Sequence, residues 1–203
     1  MNRLMRIFRA TLFLFTSLCA VFAQEPSKKP NSPSAAPAVG AGTITSNVYR
    51  NPDLGITYKI ILGWVDRTSQ IQGDPALSGR VLLAIFEHPP EVKGDNINSA
   101  VIIAAESRSS YPGVKTPTDY FDTVTEAATS QGFKVVNEPY EIMVGAKPLM
   151  RSDFSKEIGK LTMHQSSLVM LSKGYAVSFT FIGGSEDEVE QLIERLSFAP
   201  AKR

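Results

Sequence analysis

The amino-acid sequence predicts an α+β domain built on a mainly antiparallel sheet. Three observations point there. Strand-like runs separated by short turn clusters recur through the second half of the chain. Helical patterns occur only twice, over residues 116–132 and after Ser185. Residues 81–86 (VLLAIF) and 100–105 (AVIIAA) are continuously apolar. Closely spaced strand runs make antiparallel neighbours, and an unbroken apolar run suits an interior strand covered on both faces. Helices are therefore expected on both sides of the sheet.

The chain begins with features of export. Arg3, Arg6 and Arg9 precede any acidic residue, and residues 10–23 form an apolar run of about 14 residues, the length of a secretory signal core and short for a bilayer. Val21 and Ala23 stand at the two positions a signal peptidase reads, so cleavage is expected after Ala23, leaving Gln24 as the new terminus. The single cysteine, Cys19, follows the bulky Leu18, where a lipid-attachment signal wants a small residue, and so belongs to the discarded leader. The mature chain then has no disulfide, thiolate metal ligand or cysteine nucleophile. The leader takes three of the 21 basic residues and none of the 20 acidic ones, leaving a mature net charge near −2. That balance, with no basic run longer than Lys28-Lys29, argues against nucleic acid as a partner.

Four parts are expected: a signal peptide at 1–23, a tether at 24–46, a folded domain at 47–198 and a tail at 199–203. The tether is rich in Pro, Ser, Ala and Gly and offers little apolar surface to offset its ordering entropy, so it should be disordered. After the turn cluster Asn51-Pro52-Asp53, residues 56–60 alternate as a half-buried strand, with Tyr49, Tyr58 and Trp64 packing nearby. The polar connection at 89–98 contains Pro and Gly and reads as a long exposed loop. The first helix has Thr116 to cap it, Pro117 at its first position, Asp119 in its first turn and Gly132 to stop it, with Tyr120, Phe121, Val124 and Ala128 as its core stripe. Residues 140–144 and 149–154 read as a hairpin about the turn at 145–148. A long strand over 161–171, a Lys173-Gly174 turn and the alternating strand of Tyr175, Val177, Phe179 and Phe181 follow. Ser185 and Glu188 form a capping box for a closing helix whose stripe is Val189, Leu192, Ile193 and Leu196.

These residues carry a family resemblance. Tyr49-x-Asn51, then Gly55-Ile56-x-Tyr58-x-Ile60 ending in Gly63-Trp64, the helix around Asp119-Tyr120-Phe121, and the last strand-Gly-helix unit ending at Leu196-Ser197-Phe198 together resemble the PsbP C-terminal-domain family. Its fold is shared with the Ran-binding Mog proteins. Relatives commonly place proline before the turn to that tryptophan, where this chain has Ile61-Leu62. The resemblance implies a central antiparallel sheet of about six strands between helices, in a protein that binds other proteins or stabilises a complex without known catalysis. The photosystem role of some members is not carried over, because an ordinary export signal and a tether place this chain in an envelope.

The two histidines, His88 and His164, lie on separate predicted strands, and a metal site needs both to converge with carboxylates such as Glu87 or Glu106; ordinary edge or surface roles are preferred. Ser107, Ser109 and Ser110 lack a nucleophile elbow and read as a solvated loop. Gly183-Gly184-Ser185 precedes a helix as a phosphate cradle does, yet Glu186, Asp187, Glu188 and Glu190 repel an anion there. Trp64 reads as core near a turn and Asp66-Arg67 as a solvated pair. The expectation is thus a non-enzymatic extracytoplasmic interaction module, monomeric, with an unidentified protein partner, no cofactor and no membrane span after cleavage. Its loops at 89–98 and 107–115, or its sheet face, would meet the partner. The alternative is a periplasmic small-molecule or metal-ion binder with a pocket between sheet and helix, which predicts His88 or His164 near carboxylates in a concave site. A small secreted hydrolase is the third reading and lacks a catalytic group.

Overall fold

The computed structural model describes residues 39–71, 79–89, 91 and 95–199. Val21, Ala23, Cys19 and most of the expected tether lie outside them. The elements in chain order are β1 (Thr43–Thr45), β2 (Val48–Asn51), β3 (Ile56–Lys59), β4 (Val65–Asp66), α1 (Thr68–Ile71), β5 (Arg80–Phe86) and β6 (Ala100–Ser107). After a 3-10 turn at Thr118–Tyr120 come α2 (Phe121–Ser130), β7 (Lys134–Val144), β8 (Lys147–Ile158), β9 (Leu161–Ser172), β10 (Tyr175–Gly183), α3 (Glu186–Ile193) and β11 (Leu196–Phe198). They form a four-stranded sheet, β1-β2-β3-β11, and a seven-stranded sheet, β4-β5-β6-β10-β9-β8-β7. The pairings are antiparallel.

Alternation along each strand decides which residues share a face. Val177, Phe179 and Phe181 of β10 join Leu168 and Met170 of β9 in one core, which Tyr49 and Tyr58 of the small sheet and Val189, Leu192 and Ile193 of α3 complete. Val169 and Ala176, one residue out of phase, pack instead with Val114, Tyr120 and Phe121. Phe154 meets Ala128 and Phe133 beyond them.

The large antiparallel sheet is as expected, with two corrections. It has seven strands, and its two faces are covered differently: on one, Phe121 and Ala128 of α2 pack with Val169, Ala176 and Phe154. The other cover is a second sheet with the eight-residue α3 beside it, in place of a full layer of helices. The reason is connection length. Two-residue turns join β7 to β8, β8 to β9 and β9 to β10, leaving no chain for helical crossovers, and residues 43–59 alternate as short strands. Lys173 and Gly174 both take positive φ, as a tight hairpin turn requires.

The folded part also begins earlier than residue 47. Val39 is buried, β1 pairs with β2, and Asn51 Nδ2 donates to Gly40 O at 2.9 Å while Tyr49 Oη donates to Ala41 O at 3.0 Å. Arg80 Nη1 adds a bond to Val39 O at 3.0 Å. A segment poor in apolar residues is held by backbone carbonyls that composition does not reveal.

The helix starts and the end of α2 match their sequence signals, whereas α3 stops at Ile193 and Leu196, expected on its stripe, lies in β11 paired with Tyr58. Thr116 Oγ1 accepts from Asp119 N at 3.3 Å, and Asp119 Oδ2 accepts from Thr116 N at 2.7 Å, a reciprocal cap. Gly132 at φ 86° closes α2, with Phe133 N donating to Ala128 O. Strand β7 runs six residues further back than the hairpin predicted, and Pro148 lies inside β8. It pairs with Met143 at a point where β8 has no β9 partner, so its missing N–H costs no ladder bond.

Candidate functional site

The seven-stranded sheet extends past its cover at the β7–β8–β9 end, and a polar cleft lies there. Leu149 belongs to the core shared with α3, so Arg151 and Asp153, two and four residues on, project to the same face. Across the ladders Asp153 stands opposite Ser166 of β9 on one side and Asn137 of β7 on the other. Register shifts on both sides of Asn137 also bring Tyr140 opposite Arg151, the re-aiming that bulges permit. Ser152, fully buried on the opposite face, pins the bulge by donating to Asn137 O at 2.7 Å.

The result is a closed network. Asp153 Oδ1 accepts from Arg151 Nε at 2.7 Å and from Ser166 Oγ at 2.5 Å. Its Oδ2 accepts from Tyr140 Oη at 2.8 Å and Asn137 Nδ2 at 3.0 Å. Arg151 Nη2 donates to Ser166 Oγ at 3.0 Å and pairs with Glu190 Oε1 of α3 at 2.5 Å, while the guanidinium lies 5.8 Å from the Tyr140 ring centroid. The Arg151 and Asp153 side chains are each 13% exposed. Burial pushes the Asp153 carboxyl up, but hydrogen bonds from Ser166, Arg151, Asn137 and Tyr140 outweigh it and hold the group below the usual aspartate range. Burial works against the Arg151 charge, and its bonds to Glu190 and Asp153 reverse that, raising its pKa. Burial and the bond to Asp153 push Tyr140 up to about 12. The carboxylate is thus a fixed anion with four donors, and Ser166 gives its proton to that anion while accepting from Arg151.

The cleft over this floor has a volume of about 270 Å³, and Glu186, Asp187 and Glu190 of α3 form its wall. A second hollow of about 410 Å³ continues it between Ile142–Gly145 of the hairpin and the C-terminal end of α3, and the two share Arg151 and Glu190.

His164 lies in this cleft, its Nδ1 3.9 Å from Glu186 Oε1. His88 does not line it. That ring is exposed, 3.7 Å from Glu87 Oε1, with its backbone tied to the Asn98 side chain. Among the described residues no three His, Cys, Asp or Glu side chains come together as metal donors. Glu106 is bonded to Tyr111 Oη. Ser107 and Ser109 bond each other at 2.8 Å, and Tyr111 and Val114 of that loop pack on the Tyr120 cluster, so residues 107–115 are partly built into the core. Of the 89–98 connection, residues 90 and 92–94 lie outside the described set.

The Gly183-Gly184-Ser185 turn is filled from within. Glu188 Oε2 accepts from Gly184 N at 2.8 Å and Ser185 Oγ from Glu188 N at 3.1 Å, so Ser185 caps the helix and the acid, bonded one residue before the cap, occupies the place of an anion. Trp64 packs half-buried against the main core. Asp66 caps Thr68 N at 2.9 Å and Arg67 pairs with Glu91, so these neighbours take separate partners.

Sequence reasoning missed Asn137, Tyr140, Arg151, Asp153, Ser166 and Glu190. One signal was available: Arg151 and Asp153 continue the inward parity of Leu149, and charged residues on a core-facing parity need partners.

No known family's model matches the chain, and no curated protein matches it. Solved structures do. The Ran-binding protein Mog1p of Saccharomyces cerevisiae is similar at TM-score 0.42 and 10% identity, over 71% of this chain and 90% of its own. LpqN of Mycobacterium tuberculosis, described as involved in cell envelope biogenesis, is similar at TM-score 0.38 and 14% identity, over 71% of this chain and 83% of its own. A Pseudomonas aeruginosa protein of unknown function aligns at TM-score 0.38 and 14% identity over 55% and 80%. These are similarities of fold.

Proposed function

We propose that this chain is a non-enzymatic extracytoplasmic binding module of the PsbP and Mog type, and that the cleft among β7, β8, β9 and α3 is where it holds another protein. One observation carries the reading. The buried charges on the cleft floor are mutually paired, so the network gives a rigid, shaped surface at the place where the sheet emerges from its cover. The signal-like residues 1–23 and the Pro- and Ser-rich stretch after them support export. Immobilised chain from Gln24 onward, offered an extracytoplasmic extract, should retain a discrete partner, and the Tyr140→Ala variant should lose it. Retention by both proteins alike moves the surface elsewhere, and retention by neither contradicts the reading.

A second reading has its own support. His164 beside Glu186 in a concave site is what a small-molecule binder of the periplasm predicts. Native mass spectrometry of protein purified from its source should then show a stoichiometric small solute that is lost in His164→Ala.

A further inference from the structure

The two hollows form one groove. Along its first half, Val136, Asn137 and Tyr140 face the N-terminal part of α3; along its second, Ile142 to Gly145 face Ile193 and Glu194. Strand β7 and α3 therefore run side by side in the same direction, with β8 as the floor. Because β7 is the end strand of the seven-stranded sheet, the groove is open along one side, and a chain can be laid in without threading. Seven of the eleven β7 residues are exposed, among them the large apolar Val136, Tyr140 and Met143.

The charges on the helix wall are periodic. Glu186, Glu190 and Glu194 follow one another at four-residue intervals, a rise of about 6 Å each, and all three line the groove. Side chains on one face of an extended strand recur every ~6.7 Å. The groove is thus matched in spacing as well as in sign to basic residues at alternate positions of an extended segment. Arg151 and His164 are the basic side chains lining it, and Arg151 is already held by Asp153 and Glu190. A second copy of this chain is a poor occupant, since its own β7 and α3 carry the same acids.

Resting on the binding-module reading, we propose that the β7–α3 groove docks an extended segment of a partner protein bearing Lys or Arg at alternate positions, its basic side chains meeting Glu186, Glu190 and Glu194 and its other face lying on Tyr140 and Ile142.

The test uses the chain from Gln24 onward, which contains every described residue, and three synthetic dodecapeptides: alternating Lys and Val, the same composition with lysines in one block, and alternating Glu and Val. The alternating lysine peptide should bind most tightly at physiological salt, and shift amide resonances of residues 134–144 and 186–194. The double variant Glu186→Lys/Glu194→Lys should weaken it roughly tenfold or more, and Glu186→Gln/Glu194→Gln by less, with dispersed spectra confirming that both variants fold. Equal binding of the three peptides, shifts confined to another surface, an unchanged affinity in the lysine variant, or sedimentation showing a dimer that the variant breaks, each overturns the proposal. The extract experiment separates the two ideas: a partner kept equally by wild type and lysine variant preserves the module and removes this groove, and no partner for either removes the module.

Discussion

The two ends of the large sheet are built differently. At the β5–β6–β10 end the strands are inside the molecule. Residues 81–85 of β5 are all buried, and Val101, Val177, Phe179 and Phe181 have no measurable exposure. At the β7–β8–β9 end the same ladder geometry continues, but the cover stops at α3, and the inward parity carries Arg151, Asp153, His164 and Ser166 in place of aliphatic residues. Burial without an apolar partner demands hydrogen bonding, so the polar network arises where the sheet outgrows its cover. The first end supplies stability and the second supplies a shaped surface.

That comparison orders the expected effects of substitution. Phe179→Ala, at the covered end, should cost about 4 kcal/mol in chemical denaturation, the loss of a fully buried ring plus its cavity. A loss under about 1 kcal/mol would show that the covered end is not the stabilising one. Asp153→Ala should cost about 3 kcal/mol, since it leaves the partly buried Arg151 with Glu190 as its one charged partner, and it should lower Tyr140's raised pKa in a spectrophotometric titration. Ser185→Ala removes the cap that orients α3 along the groove and should cost about 1 kcal/mol. Met143→Gln, on the exposed edge, should stay within about 0.5 kcal/mol.

Acid separates the two ends further. The folded pKa of Asp153 is depressed below its ordinary 3.8, so the unfolded chain takes up that proton first. Its stabilising contribution is complete above that ordinary value and is lost as pH falls through the lower folded pKa. Wild type should therefore lose stability more steeply below about pH 4 than Asp153→Asn. Parallel acid limbs for the two proteins would mean that the network does not hold the carboxylate as described.

Much of the fold was legible residue by residue. The alternation of Tyr175, Val177, Phe179 and Phe181, the Ser185 and Glu188 cap, and the Thr116 to Gly132 helix signals all appear where local chemistry puts them, because each depends on near neighbours in the chain. The strand Lys134–Val144 began earlier than its apolar residues suggested, since an end strand with one face open to water need not be apolar. The cleft was not legible. Asn137, Arg151, Asp153, Ser166 and Glu190 are separated by up to 53 positions and become neighbours only through two ladder registers and the seat of α3. The cover of one face was misread for the same reason, as one apolar stripe packs equally well against a helix or another sheet.

The sequence alone determined the two capped helices, the hairpin turns and most of the core residues from 81 onward, because those follow from periodicity, glycine and proline geometry and capping within a few residues. Tertiary structure decided what covers each face, that residues 39–45 join the fold, and that one acid on β8 would be met by donors from both neighbouring strands. Those outcomes depend on register and layer choice, which distant parts of the chain settle together.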